Sequence, residues 1–538
     1  MLSEKIKTWL GDERAQVMPT ENLANGDYAS NLALVTKQDA SVLKARLEQN
    51  LLPEIEKIEV AGGFLNFFLK PEYFAQNLQN ITEQQDKFGW NNNLEQKKII
   101  VEYTDPNPFK EFHIGHLMSN AIGESISRLI EANNAEVKRA CYQGDVGLHV
   151  AKAIWGYKKG GKGGFEFGKA YALGSSAYEN EEKAKEEIQN INQKIYDRSD
   201  PEINEIYDLG RGKSLENFLL IYEKLDTDFD FFFFESETGE LGKKIVEENV
   251  GGIFEKSENA VVFHAEKFDA KLHTRVYITA QGLPTYEAKE LGLHLKKSQV
   301  FPFDRSLIIT ANEQDGVFRV GLAALRQLDP ELADKTQHLS HGMLRLPTGK
   351  MSSRTGDVIT AESLIAEVKE KVLEKMPARA GGEEKDEQVA EQVAVGAIKY
   401  AILKQAPGRD VIFDFAKSLS FEGDSGPYLQ YTYARAKSVL AKANSGSEKV
   451  NLENLELSDT VRLLARFPEI VARASAAYAP QLLLNYLINL ASSFNSFYAQ
   501  NKIIGGPEEK SRLALTQAVA QVMKNGLWLL GIQAPEKM

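Results

Sequence analysis

The chain has 538 residues, of which 43% are hydrophobic and 26% charged, a balance ordinary for globular proteins and sufficient for roughly three or four domains. Its single cysteine, Cys141, excludes an intramolecular disulfide and a cysteine-rich zinc site, and no run reaches the ~20 apolar residues of a membrane span. The formal net charge of −12 neither requires nor forbids a nucleic-acid partner, because binding follows local fields and a large acidic protein can carry one basic groove.

The first residues include Glu4, Asp12 and Glu13 and no apolar run, so they resemble neither a secretory signal nor an acid-poor transit peptide; the expectation is a cytoplasmic protein. Residues 1–90 read as a small α+β module. It holds an amphipathic start, the run Gly26-Asp-Tyr-Ala-Ser-Asn31, and a strand pair at 55–60 and 64–69 joined by the hairpin turn Ala61-Gly62-Gly63. The polar stretch from Glu83 to Asn93 reads as a linker.

Residues 98–103 form a short apolar run with β-branched side chains, a predicted buried strand. Two prolines keep the next loop, Thr104-Asp-Pro-Asn-Pro108, out of helix. From Gly115 to Asn133 the apolar residues Leu117, Ile122, Ile126, Leu129 and Ile130 recur at helical spacing, and Asn133-Asn134 stops the helix. A second strand is predicted over 137–142. Strand, helix, strand opens a doubly wound parallel sheet, whose ligands lie beyond the carboxyl ends of its strands.

An insertion spans about 150–260, glycine- and charge-rich from Lys158 to Gly212, with a buried strand at Phe231–Phe234 near its end. Strand-like pieces return at 261–264, 276–279 and 306–310. The polar run from Gly381 to Glu387 marks a boundary, and the remaining residues are helical in pattern. The predicted fold is α/β: a Rossmann-type doubly wound parallel-sheet domain over 91–385, preceded by an α+β domain over 1–90 and followed by an all-α domain over 386–538.

Chemistry concentrates at His113-Ile-Gly-His116, where the predicted helix begins. Three-residue spacing puts both imidazoles on one face of the first turn. A helix N-terminus supplies free N–H groups and the positive end of the dipole, which suits a triphosphate. Gly115 leaves room for a flat ring against the backbone, and the imidazoles can donate to phosphate oxygens as charge develops. Much later, Lys350-Met-Ser-Ser-Arg354 follows Gly349, joining a point charge and small hydroxyls in a glycine-led loop that can close on a pyrophosphate.

A buried strand, a proline loop and a His-Ile-Gly-His helix start resemble the first signature of class I aminoacyl-tRNA synthetases, and the Lys350 run resembles the second. The longer run Asp105-Pro-Asn-Pro-Phe-Lys-Glu-Phe-His-Ile-Gly-His116 is similar to that of arginyl-tRNA synthetases, as is Ala280-Gln-Gly-Leu-Pro-Thr-Tyr286 through Glu290. Asn312-Glu-Gln-Asp315, the run Gly423-Asp-Ser-Gly-Pro-Tyr-Leu-Gln-Tyr431-Thr-Tyr-Ala-Arg435 and the ending Leu530-Gly-Ile-Gln-Ala-Pro-Glu-Lys-Met538 also match that family.

The resemblance implies catalysis by His113, His116 and Lys350 with Lys110 assisting, and ATP contacts from Gly115, His116, Lys350, Met351, Ser352 and Ser353. It implies an arginine site of Asn107, His113, Tyr286, Glu290 and Gln314; a carboxylate and an amide oxygen suit the planar fork of a guanidinium. It further implies ATP with Mg2+, no zinc, tRNA(Arg) as partner, no membrane association and a monomer.

The helical domain then reads the anticodon, with Tyr428, Tyr431 and Tyr433 as candidates to stack bases, and Asn66 of the first domain touches the tRNA; tyrosines at helical spacing would serve equally for packing. The chain departs from the family at Glu290, usually Asp, at Val146, usually Trp, and at Arg354, usually Lys. A lysyl enzyme of the same class also needs an acidic pocket, and a silent tRNA-binding relative is the non-enzyme alternative. Intact His113, His116 and Lys350 favour catalysis.

Overall fold

The computed structural model describes residues 1–20, 22–160, 167–345, 359–376, 386–443 and 457–538. Contacts divide the chain into two compact units: Met1–Asn93 with Ser420–Leu529 and Gln533–Met538, and Leu94–Leu419 with Leu530–Ile532.

The second unit is built on a five-stranded sheet. In spatial order its strands are Thr336–His341, Arg305–Ala311, Lys98–Tyr103, Glu136–Gln143 and Phe231–Phe234, every neighbouring pair parallel. Continuous apolar runs such as Ile99–Val101 and Leu307–Ile309 form these strands because helices cover both faces of a parallel sheet. The chain winds outward from Lys98–Tyr103 in one direction, then returns to wind the other way from Arg305–Ala311. The winding therefore reverses between those two adjacent strands, and the crevice beyond their carboxyl ends is where such a sheet binds ligands.

The helix Ile114–Glu131 starts at that crevice and is buried along nearly its whole length. Its internal charges are neutralised locally: Glu124 accepts from Arg128 Nε at 2.6 Å, Arg139 Nε at 3.1 Å and the Tyr103 hydroxyl. Burial alone would raise the Glu124 pKa, but the two guanidinium charges outweigh it and hold the carboxyl near 2.

The insertion expected over about 150–260 is shorter in the structure: three helices, Phe167–Asn180, Glu182–Asp197 and Pro201–Lys224, share an apolar core with the helix Leu148–Gly160 through Ile154, Trp155, Ile188, Ile195 and Ile206, whereas Phe231–Phe234 returns to the main sheet as its edge strand and is only partly buried. The helix Glu387–Leu403, read from sequence as the head of the all-α domain, belongs by its contacts to this unit. Its apolar residues are buried here, and its Lys399 amine donates to the carbonyls of Leu225 at 2.5 Å and Gly531 at 2.6 Å. Gly531 lies in the short C-terminal piece Leu530–Ile532 that completes the unit.

In the first unit an antiparallel sheet runs, in spatial order, Val17–Pro19, Tyr28–Ser30, Phe64–Leu69, Ile55–Ala61. The same unit holds the helices Gly426–Lys442, Asp459–Ala476, Pro480–Gln500 and Glu509–Leu529. Asp27 joins the two parts: its carboxylate accepts from Leu69 N at 2.9 Å and from Arg462 Nη1 at 2.6 Å. The stretch read as a linker is instead packed. Phe88 stacks on Phe467, Trp90 on Trp528, and Asn525 donates to the carbonyls of Gln85 and Phe88. Two aromatic residues among polar ones bury what average polarity hides. Among the described residues no helix is long and apolar enough to cross a membrane.

Candidate active site

Beyond the crevice lies a cavity of about 720 Å³ lined by the ends of the Lys98–Tyr103 and Arg305–Ala311 strands and by the loops that leave them. One wall is the start of the Ile114–Glu131 helix. His113 is its N-cap: Nδ1 accepts from Gly115 N at 3.1 Å, while His116 Nδ1 accepts from His113 N at 3.3 Å. This reciprocal cap satisfies backbone donors that a helix start leaves unpaired.

The two rings stack with centroids 3.7 Å apart. Burial, reinforced by the charge of Lys110, lowers both histidines, His113 to about 4 and His116 further. Both rings are thus neutral at physiological pH. With Nδ1 accepting in each, the proton sits on Nε2, and each ring keeps one N–H donor for a ligand. Ser119, one turn on, accepts from Thr104 N at 3.0 Å and donates to the Ile309 carbonyl at 2.8 Å, tying the helix to both strand ends.

The loop between strand and helix is strained. Thr104, Asp105 and Phe109 have φ of 83°, 47° and 69°, the left-handed region that non-glycine residues enter at about 1–3 kcal/mol each. Asn107 lies on this loop with its Oδ1 against Gly144, which has no room for a side chain. Gly144 and Gly147 form the facing loop, and His149 Nε2 bonds the Gly144 carbonyl at 2.7 Å.

The opposite wall is acidic. Glu102, Glu235 and Glu287 line it, each with a cation: Lys297 at 2.7 Å, Lys289 at 2.6 Å and Arg275 at 3.4 Å. Asp105 and Glu290 have no cationic partner among the described residues. Glu290 is 4% exposed, with the Tyr286 hydroxyl beside its otherwise unbonded carboxylate. Burial, then the neighbouring Glu102 charge, raises the pKa of both, that of Glu290 to about 8.

Of the residues expected from sequence, Asn107, His113, Gly115, His116, Tyr286 and Gln314 all line this one cavity. Glu290 does not; it is buried one helical turn beyond Tyr286 in the helix Tyr286–Val300. Nor does Lys110, whose amine lies 4.9 Å from the centre of the Tyr171 ring. Lys350, Met351, Ser352, Ser353 and Arg354 lie outside the described residues.

The four expected RNA contacts fall in the first unit. Asn66 is 5% exposed in the sheet and Tyr433 only 3%, so both are packing residues and offer no face to a base. Tyr428 and Tyr431 are partly exposed, and the Arg435 guanidinium sits 4.7 Å from the Tyr431 ring centre. Reading the sequence missed Glu235, Lys289, His149 and His341 of the cavity wall. The one signal for the first two was a pair of chargeable residues beside apolar runs that otherwise read as buried.

Three families match the chain in order: "Arginyl tRNA synthetase N terminal domain" over residues 2–69, "tRNA synthetases class I (R), catalytic domain" over 77–415, and "DALR anticodon binding domain" over 429–538. A protein of Borrelia turicatae named arginine–tRNA ligase is 32% identical, the match covering 89% of this chain and 86% of that protein. One of Streptococcus pneumoniae with the same name is 31% identical over 96% of this chain and 95% of its own. Among solved structures, the arginyl-tRNA synthetase of Thermus thermophilus superposes with a TM-score of 0.82 at 24% identity, covering 100% of this chain and 99% of that one.

Proposed function

Because the chain belongs to the arginyl-tRNA synthetases of class I, we propose that it activates L-arginine with ATP and transfers it to the 3′ end of tRNA(Arg), releasing AMP and pyrophosphate. The observation that carries the choice of amino acid is the acidic surplus of the cavity. Each of three carboxylates already has its cation, while Asp105 and the buried Glu290 have none among the described residues. A guanidinium supplies the missing charge and donors in a planar fork.

The arginine carboxylate attacks the α-phosphorus of the nucleotide, the bond to the β-phosphate oxygen breaks, and pyrophosphate leaves. A terminal ribose hydroxyl of the tRNA then takes the acyl group and AMP leaves. His113 and His116 donate their Nε2 protons as hydrogen bonds to phosphate oxygens, and the helix N-terminus adds its dipole. No proton is transferred by either ring. Asn107 and Gln314 orient the amino acid; Lys350 meets the leaving pyrophosphate, a part that rests on its sequence motif, and Lys110 assists through its charge. Magnesium would enter with the nucleotide as part of that substrate, supplying positive charge to its phosphates. The protein works as a monomer in the cytoplasm.

Pyrophosphate exchange tests this reading. Exchange is expected with arginine alone among the amino acids and only when tRNA(Arg) is present; exchange supported by lysine would end the assignment. A charged-receptor role for Glu290 also means that Glu290→Gln raises the KM for arginine by at least ~10-fold and leaves that for ATP within about twofold. Equal shifts in both constants would place Glu290 outside the amino-acid site.

A further inference from the structure

One face of the inserted helix Pro201–Lys224 bears on both loops that wall the cavity. Tyr207, Gly210, Arg211 and Ser214 recur at i, i+3, i+4 and i+7, a single stripe along the helix. Toward the Gly144–Gly147 loop, Arg211 Nε donates to Asp145 Oδ2 at 2.9 Å and the Tyr207 hydroxyl to the same oxygen at 3.1 Å. Asp145 is fully buried, and it also accepts from Ser236 N at 2.8 Å and Ser236 Oγ at 2.7 Å. That fixes the start of the helix carrying Glu235, whose side chain lines the cavity.

Toward the Asn107 loop, Ser214 Oγ accepts from Phe109 N at 2.9 Å and donates to the Gly210 carbonyl at 2.8 Å. The Phe109 ring fills the space that a side chain at Gly210 would need, and it packs on Tyr207 with ring centres 6.0 Å apart. Phe109 is one of the three left-handed residues of its loop, and such a conformation persists only where its surroundings over-determine it. The stripe is that surrounding structure.

We propose that Tyr207, Gly210, Arg211 and Ser214 form the positioning element of the amino-acid subsite. They hold the Asn107 loop and the Gly144 loop in one register so that groups from both meet the same bound arginine. This rests on the arginine-activating reading above. The nucleotide end has anchors of its own, the His113–His116 cap and Ser119 on Ile309; the helix reaches it farther along, where Phe218 meets Phe112 beside His116, so changes within the stripe fall first on the arginine end.

The test compares Arg211→Met, Arg211→Lys and Ser214→Ala in the full chain, reading KM for arginine and for ATP in tRNA charging, together with Tm. Arg211→Met is expected to raise the arginine KM about tenfold or more and to leave the ATP KM within about twofold, since displacement of a positioning group costs rate and affinity steeply. Arg211→Lys restores a cation opposite Asp145 and recovers most of that loss. Ser214→Ala, which removes no charge and keeps the helix, raises the arginine KM by about threefold. Equal rises in both KM values, or a lower Tm with both KM values unmoved, overturn the proposal. Wild-type protein that leaves tRNA uncharged with arginine sinks the functional reading itself; wild-type charging with an unmoved arginine KM in all variants sinks this inference alone.

Discussion

Replacing His116 by alanine is expected to lower the rate of arginyl-adenylate formation by ~100- to 1000-fold, the loss seen when one preorganised donor is removed from a developing negative charge. The ring is neutral, and its Nδ1 is committed to His113 N, so Nε2–H is the group that is lost. Alanine also removes half of the helix cap, at about 1 kcal/mol of stability. His116→Asn separates the two effects, because an asparagine oxygen can accept from His113 N while its amide still donates. Single-turnover adenylate formation in the presence of tRNA should therefore recover in His116→Asn by at least tenfold over alanine.

An alanine variant with an unchanged chemical step would remove His116 from the reaction. The same rings predict acid sensitivity. Their pKa values are lower folded than unfolded, so unfolding takes up protons, and stability falls as pH drops from about 6.5 toward 4.

Arginine affinity is expected to climb by up to about tenfold per pH unit from pH 6 to 8 and to level off above. The cause is Glu290, whose carboxyl burial and Glu102 push up to about 8, so that the free enzyme holds a proton there at pH 6 to 7. A guanidinium binds the carboxylate and expels that proton, so binding tightens as the proton becomes easier to lose. Calorimetry in buffers of different ionisation enthalpy should register release of nearly one proton at pH 6.5. Glu290→Gln should abolish both the release and the slope. A flat arginine affinity in the wild-type chain would exclude Glu290 as the receptor. For the fold alone, a carboxyl with a raised pKa keeps a proton that the unfolded chain lacks, so its contribution to stability is lost as pH rises from 4.5 to 8.

Much of this site was legible in one dimension because its signals are local. The His113–His116 cap needs only three-residue spacing, and the strands at 98–103 and 305–311 are apolar runs too short and too β-branched to be helices. Asn107, Tyr286 and Gln314 followed from the family run in which each sits. What escaped was whatever depends on the winding of the sheet. Glu235 and Lys289 are 54 residues apart and meet only because two helices pack side by side.

Helical periodicity also placed Tyr433 without saying which way it faced, and the structure turns it inward. The boundary after 385 failed for a similar reason: polar residues announce a turn of the chain, but a helix joins whichever core buries its apolar face, and Glu387–Leu403 is buried in the sheet-bearing unit.

The split membership of the chain sets an order of events during synthesis. Asp27 emerges from the ribosome more than four hundred residues before Arg462, and the Lys399 amine before the Gly531 carbonyl that receives it. The first ninety residues therefore wait, partly unburied, through translation of the whole middle of the protein. Neither unit has all its parts until residues 530–538 have been added, so each keeps apolar surface open through most of its own synthesis.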